Sequence, residues 1–143
     1  MIELIFVIVV LGILAAIAVP KLAATREDAQ ISKGAADIAS IRSGIVSVRQ
    51  QYLLRGNSNY PTSLSGAGAG SGLLFDGNGT GSILMYPVKP KDGGGHWTTA
   101  SADPNYFYQI GNQSCKFVYS SANGTFNLDA GSTHEYCKAL VGE

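Results

Sequence analysis

Few side chains in this chain sit where chemistry is possible. Glu3 stands ahead of sixteen uninterrupted apolar or small residues, Leu4 to Val19, closed by Pro20. A charged side chain inside a bilayer costs about 2.5–3.5 kcal/mol or more, so one placed there calls for a partner. The segment therefore reads as a helix that lies in a membrane at one time and packs against copies of itself at another. The plainer reading of Glu3 is an acid favoured by the positive end of its own helix. A second group is Asp76-Gly77-Asn78-Gly79-Thr80-Gly81. Oxygen donors at alternate positions with glycine sixth match the start of a calcium loop, with Asp76, Asn78 and Thr80 as ligands. The twelfth position is Pro87, so the bidentate glutamate is absent. Asp76-x-Asn78-x-Thr80 is also an acid-extended glycosylation sequon centred on Asn78, whereas Asn112 and Asn123 are ordinary sequons without that acid. The third reading is a polar glycine turn. Cys115 and Cys137 are the two cysteines. Their spacing fits no zinc pattern, and His96 and His134 stand apart from each other.

Enzyme chemistry finds no support. Ser, His and Asp occur without a nucleophile elbow, a phosphate loop or a metal-spaced cluster. Gly66-x-Gly68-x-Gly70 precedes no helix, which excludes a dinucleotide fingerprint. Ten basic and ten acidic residues cancel, so no global field points to nucleic acid. The charge is unevenly placed: six basic and three acidic residues lie between Lys21 and Arg55, four and six from Gly56 onward. A solvated helix face is the simplest account, with charge pairing between subunits as the alternative. The aromatics lie mostly beyond residue 55 and read as core rather than as a stacking platform for bases.

The elements that must carry these residues follow from periodicity. Ile2 to Val19 is expected to be helical and to span about 27 Å, enough for a bilayer core. It is too long for a secretory h-region, lacks a basic start and a small-x-small cleavage site, and is expected to be retained. Gly12 and Pro20 are its weak points, where the helix is expected to kink or unravel. Lys21 to Arg55 continues as an amphipathic helix. Ile31, Ile38, Ile45 and Tyr52 recur every seven residues, with Ala35, Ile41 and Val48 between them. Such a stripe either faces other subunits or packs on the chain's own sheet; the β-rich segment that follows favours the second. Gly56-Asn57 stops the helix. Residues 57 to 82 form a glycine-rich loop that Tyr60 to Leu64 docks onto the helix. Strand-like runs follow at Ile83–Val88, Tyr106–Ile110, Lys116–Tyr119 and Thr125–Leu128, with Asn123-Gly124 as a hairpin signal. The fold class is α+β, a long helix packed on a small antiparallel sheet of three or four strands. Its organisation is 1–20 as an apolar membrane or filament-core helix, 21–55 as an amphipathic helix, and 56–143 as a β-rich head.

The stretch Met1-Ile2-Glu3-Leu4-Ile5-Phe6-Val7-Ile8-Val9-Val10-Leu11-Gly12-Ile13-Leu14-Ala15-Ala16-Ile17-Ala18-Val19-Pro20 resembles the N-terminal helix of type IV pilins and the related pseudopilins. The match is strong over about the first 25 residues and extends to the rest only in organisation. The resemblance implies a pilin fold and processing by a prepilin peptidase with methylation of the new N-terminus. It implies that Glu3 pairs with the N-terminal amine of a neighbouring subunit. The family glutamate sits four residues after the first mature residue, and only two residues precede Glu3, so two mature residues are expected to be missing ahead of it. The glycine-to-proline stretch between Gly12 and Pro20 is expected to lose helicity on assembly. In such an envelope protein Cys115 and Cys137 read as one disulfide closing a loop of about 22 residues, worth roughly 3 kcal/mol, in an oxidising compartment. Free thiols remain the alternative.

The expected function is that of a structural subunit of a homo-oligomeric filament. It would be held in a bacterial inner membrane, extracted by pilus or secretion machinery there, and used outside the cell for adhesion, motility or DNA uptake. The closest rival is a major pseudopilin of a type II secretion system, a short periplasmic piston; Tyr60-Pro61-Thr62 resembles a segment common there, and the glycine loop would then hold calcium. A second rival is a single-span membrane-anchored binding protein.

Overall fold

A computed structural model describes residues 1–66, 72–77, 81–100 and 103–143. Helix α1 runs from Ile2 to Leu54 as one element of 53 residues, about 80 Å at the α-helical rise. It passes through Pro20 without interruption, so the expected break between Gly12 and Pro20 is absent from the isolated chain. Proline removes one backbone donor, and the turns on either side of it are rich in strong helix formers. The helix ends at Leu54, followed by Gly56 at a φ of +80°, a left-handed conformation that glycine adopts without steric cost.

The head carries a four-stranded antiparallel sheet in the order β1 (His96–Trp97), β2 (Asn105–Ile110), β3 (Gln113–Ser120), β4 (Thr125–Leu128). β2 and β3 pair over their whole length from Asn105↔Val118 to Ile110↔Gln113. Alternation decides which face is core: Tyr106, Tyr108 and Ile110 on β2, with Cys115, Phe117 and Tyr119 on β3, point inward and are buried. β3 joins β4 through residues 121–124, where Gly124 takes a φ of +71° and donates its N–H to the Ser120 carbonyl (2.8 Å). The hairpin expected at Asn123-Gly124 is therefore present.

Ile83–Val88, expected to be a strand, is not one. It is a bent segment that touches Leu74 through a single bridge at Val88, and the backbone at Ile83 lies directly on Gly44 of α1. Strand β1 takes its place at the edge of the sheet. A short helix α2 (Glu135–Ala139), absent from the sequence reading, follows β4 and is capped by the His134 side chain.

Ile38, Ile41, Ile45 and Val48 of α1 are all buried against the sheet, flanked by the half-buried Ile31 and Tyr52. The apolar stripe thus packs on the chain's own head. Opposite it lies an aromatic cluster in which Phe75 stacks on Tyr106 (4.9 Å between centroids) and Phe117 stacks on Phe126 (5.4 Å), with Trp97 edge-on to several of them. Such pairs add stability beyond area burial and fix the geometry of the layer.

Candidate functional site

The molecule has two unlike ends. Ile2 to Val19, 18 residues of mean hydropathy 3.1, is wholly unburied and is long and apolar enough to cross a membrane. Glu3 lies in its first turn, where the positive end of the helix favours a carboxylate. Gly12 is on the same bare segment, and a Cβ built there would meet nothing within 4 Å. Pro20 follows at the end of the span. Glu3 and Gly12 thus share the unburied part of α1, and the surroundings of the Pro20 side chain lie outside what the structure describes.

The head begins at Glu27, whose carboxylate accepts from the Tyr136 hydroxyl (2.7 Å); that bond raises the Tyr136 pKa. Along α1, Glu27 stands about two turns beyond Val19, where the span ends. Further along, Gln30 is bound twice: its backbone carbonyl accepts from Tyr108 Oη (2.9 Å) and its side-chain oxygen from Gly111 N–H (2.8 Å). Asp37 accepts from Trp97 Nε1 (3.2 Å), and Arg42 Nε donates to the Phe126 carbonyl (3.0 Å). Burial raises the Asp37 pKa, against the lowering effect of the indole N–H and of Lys33. These polar clamps lock the rotation of α1 relative to the sheet, because they join it to α2, to β1, β2 and β4, and to the turn at Gly111.

Cys115 on β3 and Cys137 on α2 form a disulfide with Cα atoms 5.4 Å apart. The bond ties the C-terminal segment to the sheet. Lys116 adds a salt bridge to Asp129 (3.4 Å) and a backbone bond to Ser132 Oγ (3.0 Å) inside the same loop.

Asp76 accepts from Gly66 N–H on one carboxylate oxygen (2.6 Å). Asn78 and Thr80, the other members of the calcium or glycan motif, lie outside the described residues. Among the described residues no group of three or more His, Cys, Asp or Glu side chains is placed to hold a metal.

Sequence reasoning missed the polar knot at Asp103. Its carboxylate accepts from Ser63 Oγ, from the N–H groups of Leu64 and Ser65, and from Tyr106 Oη. Burial and that bond push the Tyr106 pKa far up. The knot pins the end of the 57–66 segment to the start of β2, and Tyr119 Oη adds a bond to the Pro61 carbonyl (2.6 Å). Only the polar Ser63-x-Ser65 and the turn-forming Asp103-Pro104 pair hinted at it, forty residues apart in the chain. Comparison with protein-family models, curated proteins and solved structures finds no match for this chain.

Proposed function

We propose that this chain is a pilin-like structural subunit that waits in a membrane by its apolar helix and is then packed, helix against helix, into a filament with the heads outside. The observation that carries this reading is the asymmetry of α1: residues 2–19 bury nothing, whereas between residues 31 and 48 one face of the helix is buried against the head. Water tolerates no such bare helix, since large exposed apolar surfaces mark membrane or protein contacts. Lipid can cover it in one state and neighbouring helices in another. The resemblance of residues 1–20 to the prepilin helix supports the second state.

Glu3 is the register device in this reading. Buried among apolar helices, it requires a cation from a neighbour, and removing one partner of a buried pair costs about 3–5 kcal/mol. The neighbour's N-terminal amine would fill that role. The head serves adhesion, motility or DNA uptake by coating the fibre, after processing by a prepilin peptidase and extraction by inner-membrane machinery.

Electron cryomicroscopy of fibres sheared from cells producing the chain tests the proposal, with Glu3→Ala alongside. Long fibres with α1 at their centre, lost or disordered in the variant, are the expected result. Protein that stays in the membrane fraction with no fibre from either strain would overturn the pilus reading in favour of a single-span anchor or a short secretion piston.

A further inference from the structure

At the end of α1 farthest from the apolar span lies a cavity of about 330 Å³, lined by Tyr52, Arg55, Asn57, Asn59, Tyr60 and Thr62. Tyr52 and Tyr60 line it, and each of its polar side chains can donate a hydrogen bond. Arg55 brings a guanidinium, Asn57 and Asn59 bring amides, and Thr62 and Tyr60 bring hydroxyls. Among the described residues no carboxylate lines it.

The cavity is built rather than incidental. The loop leaves α1 with its first N–H groups returned to the last turn: Gly56 to the Leu53 carbonyl (3.0 Å) and Asn57 to that of Tyr52 (2.9 Å). Asn57 Oδ1 accepts from the Asn59 backbone (2.9 Å), which turns the Asn57 amide nitrogen, a donor only, outward from that bond. Tyr60 is held from behind. Arg49 Cζ lies 4.2 Å from the centre of its ring, and Gly124 backs onto the same ring so closely that no Cβ would fit. Arg49 Nε is buried without a hydrogen-bond partner among the described residues. Arg49 thus places a second positive charge against the Tyr60 ring.

Donors without acceptor charge, backed by two guanidinium groups, favour an anionic ligand rich in oxygen. Aromatic walls favour one with an apolar face as well, which a bare inorganic anion lacks. A pyranose bearing a carboxylate has both. We propose that this pocket binds a carboxylated sugar, a uronic acid of a surface polysaccharide. Its carboxylate meets Arg55, its hydroxyls meet Asn57, Asn59 and Thr62, and its ring lies along the tyrosines. The inference rests on the filament reading only for its setting, where it names the ligand class for adhesion.

The test uses the full chain, dispersed in detergent so that binding does not depend on assembly, and follows backbone amide resonances. Methyl glucuronoside is expected to shift residues 52–62 in a saturable way, with methyl glucoside at least about tenfold weaker, the scale set by losing one charge-assisted hydrogen bond. Arg55→Gln, at an exposed position, should reduce binding by a similar factor while leaving the circular dichroism spectrum unchanged. Thr62→Val should cost less. The proposal is overturned by no shift with glucuronoside, by equal binding of the neutral sugar, or by binding unaffected by Arg55→Gln. Saturable shifts with inorganic phosphate at equal affinity would reduce the pocket to an anion site and overturn the sugar. Loss of fibres in the Glu3→Ala strain is read separately, so either reading can fail alone.

Discussion

Two glycines on α1 separate what the head demands from what assembly demands. A Cβ at Gly34 would collide with the Tyr108 ring and with Leu140, although the helix there is regular. Alanine normally stabilises a helix over glycine by about 1 kcal/mol. At Gly34 overpacking wins, and Gly34→Ala should lower stability by about 1–3 kcal/mol in urea unfolding of the detergent-dispersed chain. Gly12 has open space around it, so Gly12→Ala should leave the monomer's helicity unchanged or higher. If fibres fail in that variant, a neighbouring helix approaches the backbone there. Asp37 gives a pH-dependent case. Burial raises its folded pKa above the ordinary carboxylate value, so the folded state prefers the protonated acid. Its contribution is fully present below the unfolded pKa and is lost as pH rises through the folded one. Asp37→Asn keeps an oxygen for Trp97 Nε1 without the charge. Its melting temperature should exceed that of the parent near pH 7 and converge with it below about pH 4; equal temperatures at both pH values would show that burial at Asp37 has no energetic effect.

At the level of elements, α1 and the sheet depend on each other. Ile41 is fully buried where the helix crosses the sheet, and Ile41→Ala should cost about 2–5 kcal/mol by equilibrium unfolding. The disulfide acts on a different element. It closes a 22-residue separation and holds α2 to β3, with Leu140 buried just beyond it. Replacing both Cys115 and Cys137 by alanine should cost about 3 kcal/mol by the loop-entropy argument. Hydrogen exchange should then rise first in residues 129–143, because the polar clamps on the remaining strands stay intact. Uniform loosening of the whole head would contradict that local role.

The whole molecule is a head on a bare apolar rod, and its solvent preference is set by the rod. Residues 2–19 carry one charge, at the first turn. An arginine at the centre of a spanning helix costs about 2.5–3.5 kcal/mol. Val10→Arg should therefore move the protein out of the membrane fraction of cells while the head keeps its fold, read by protease resistance of residues beyond Glu27. Retention of that variant in the membrane would mean that something other than the span anchors the chain.

Local pattern was enough for the apolar run, the seven-residue stripe ending in Tyr52, the last three strands and the Asn123-Gly124 turn, because each is a matter of period or of one residue's backbone freedom. The stripe also said which face of α1 would be covered once a β-rich segment was seen to follow it. Other features depended on residues distant in sequence. Ile83–Val88 has strand composition, yet its backbone settles on Gly44 and the sheet edge goes to His96–Trp97, a pair too short to show a period. Helix α2 is five residues long and stands because a disulfide and a buried Leu140 hold it. The Asp103 knot joins residues 40 apart in the chain, and nothing local marks Tyr60 as the ring that both Arg49 and the distant Gly124 touch. Sequence alone determined where this chain is apolar and how each stretch repeats. Only the tertiary structure decided which polar groups meet, since a hydrogen bond or a ring contact depends on distances that folding sets.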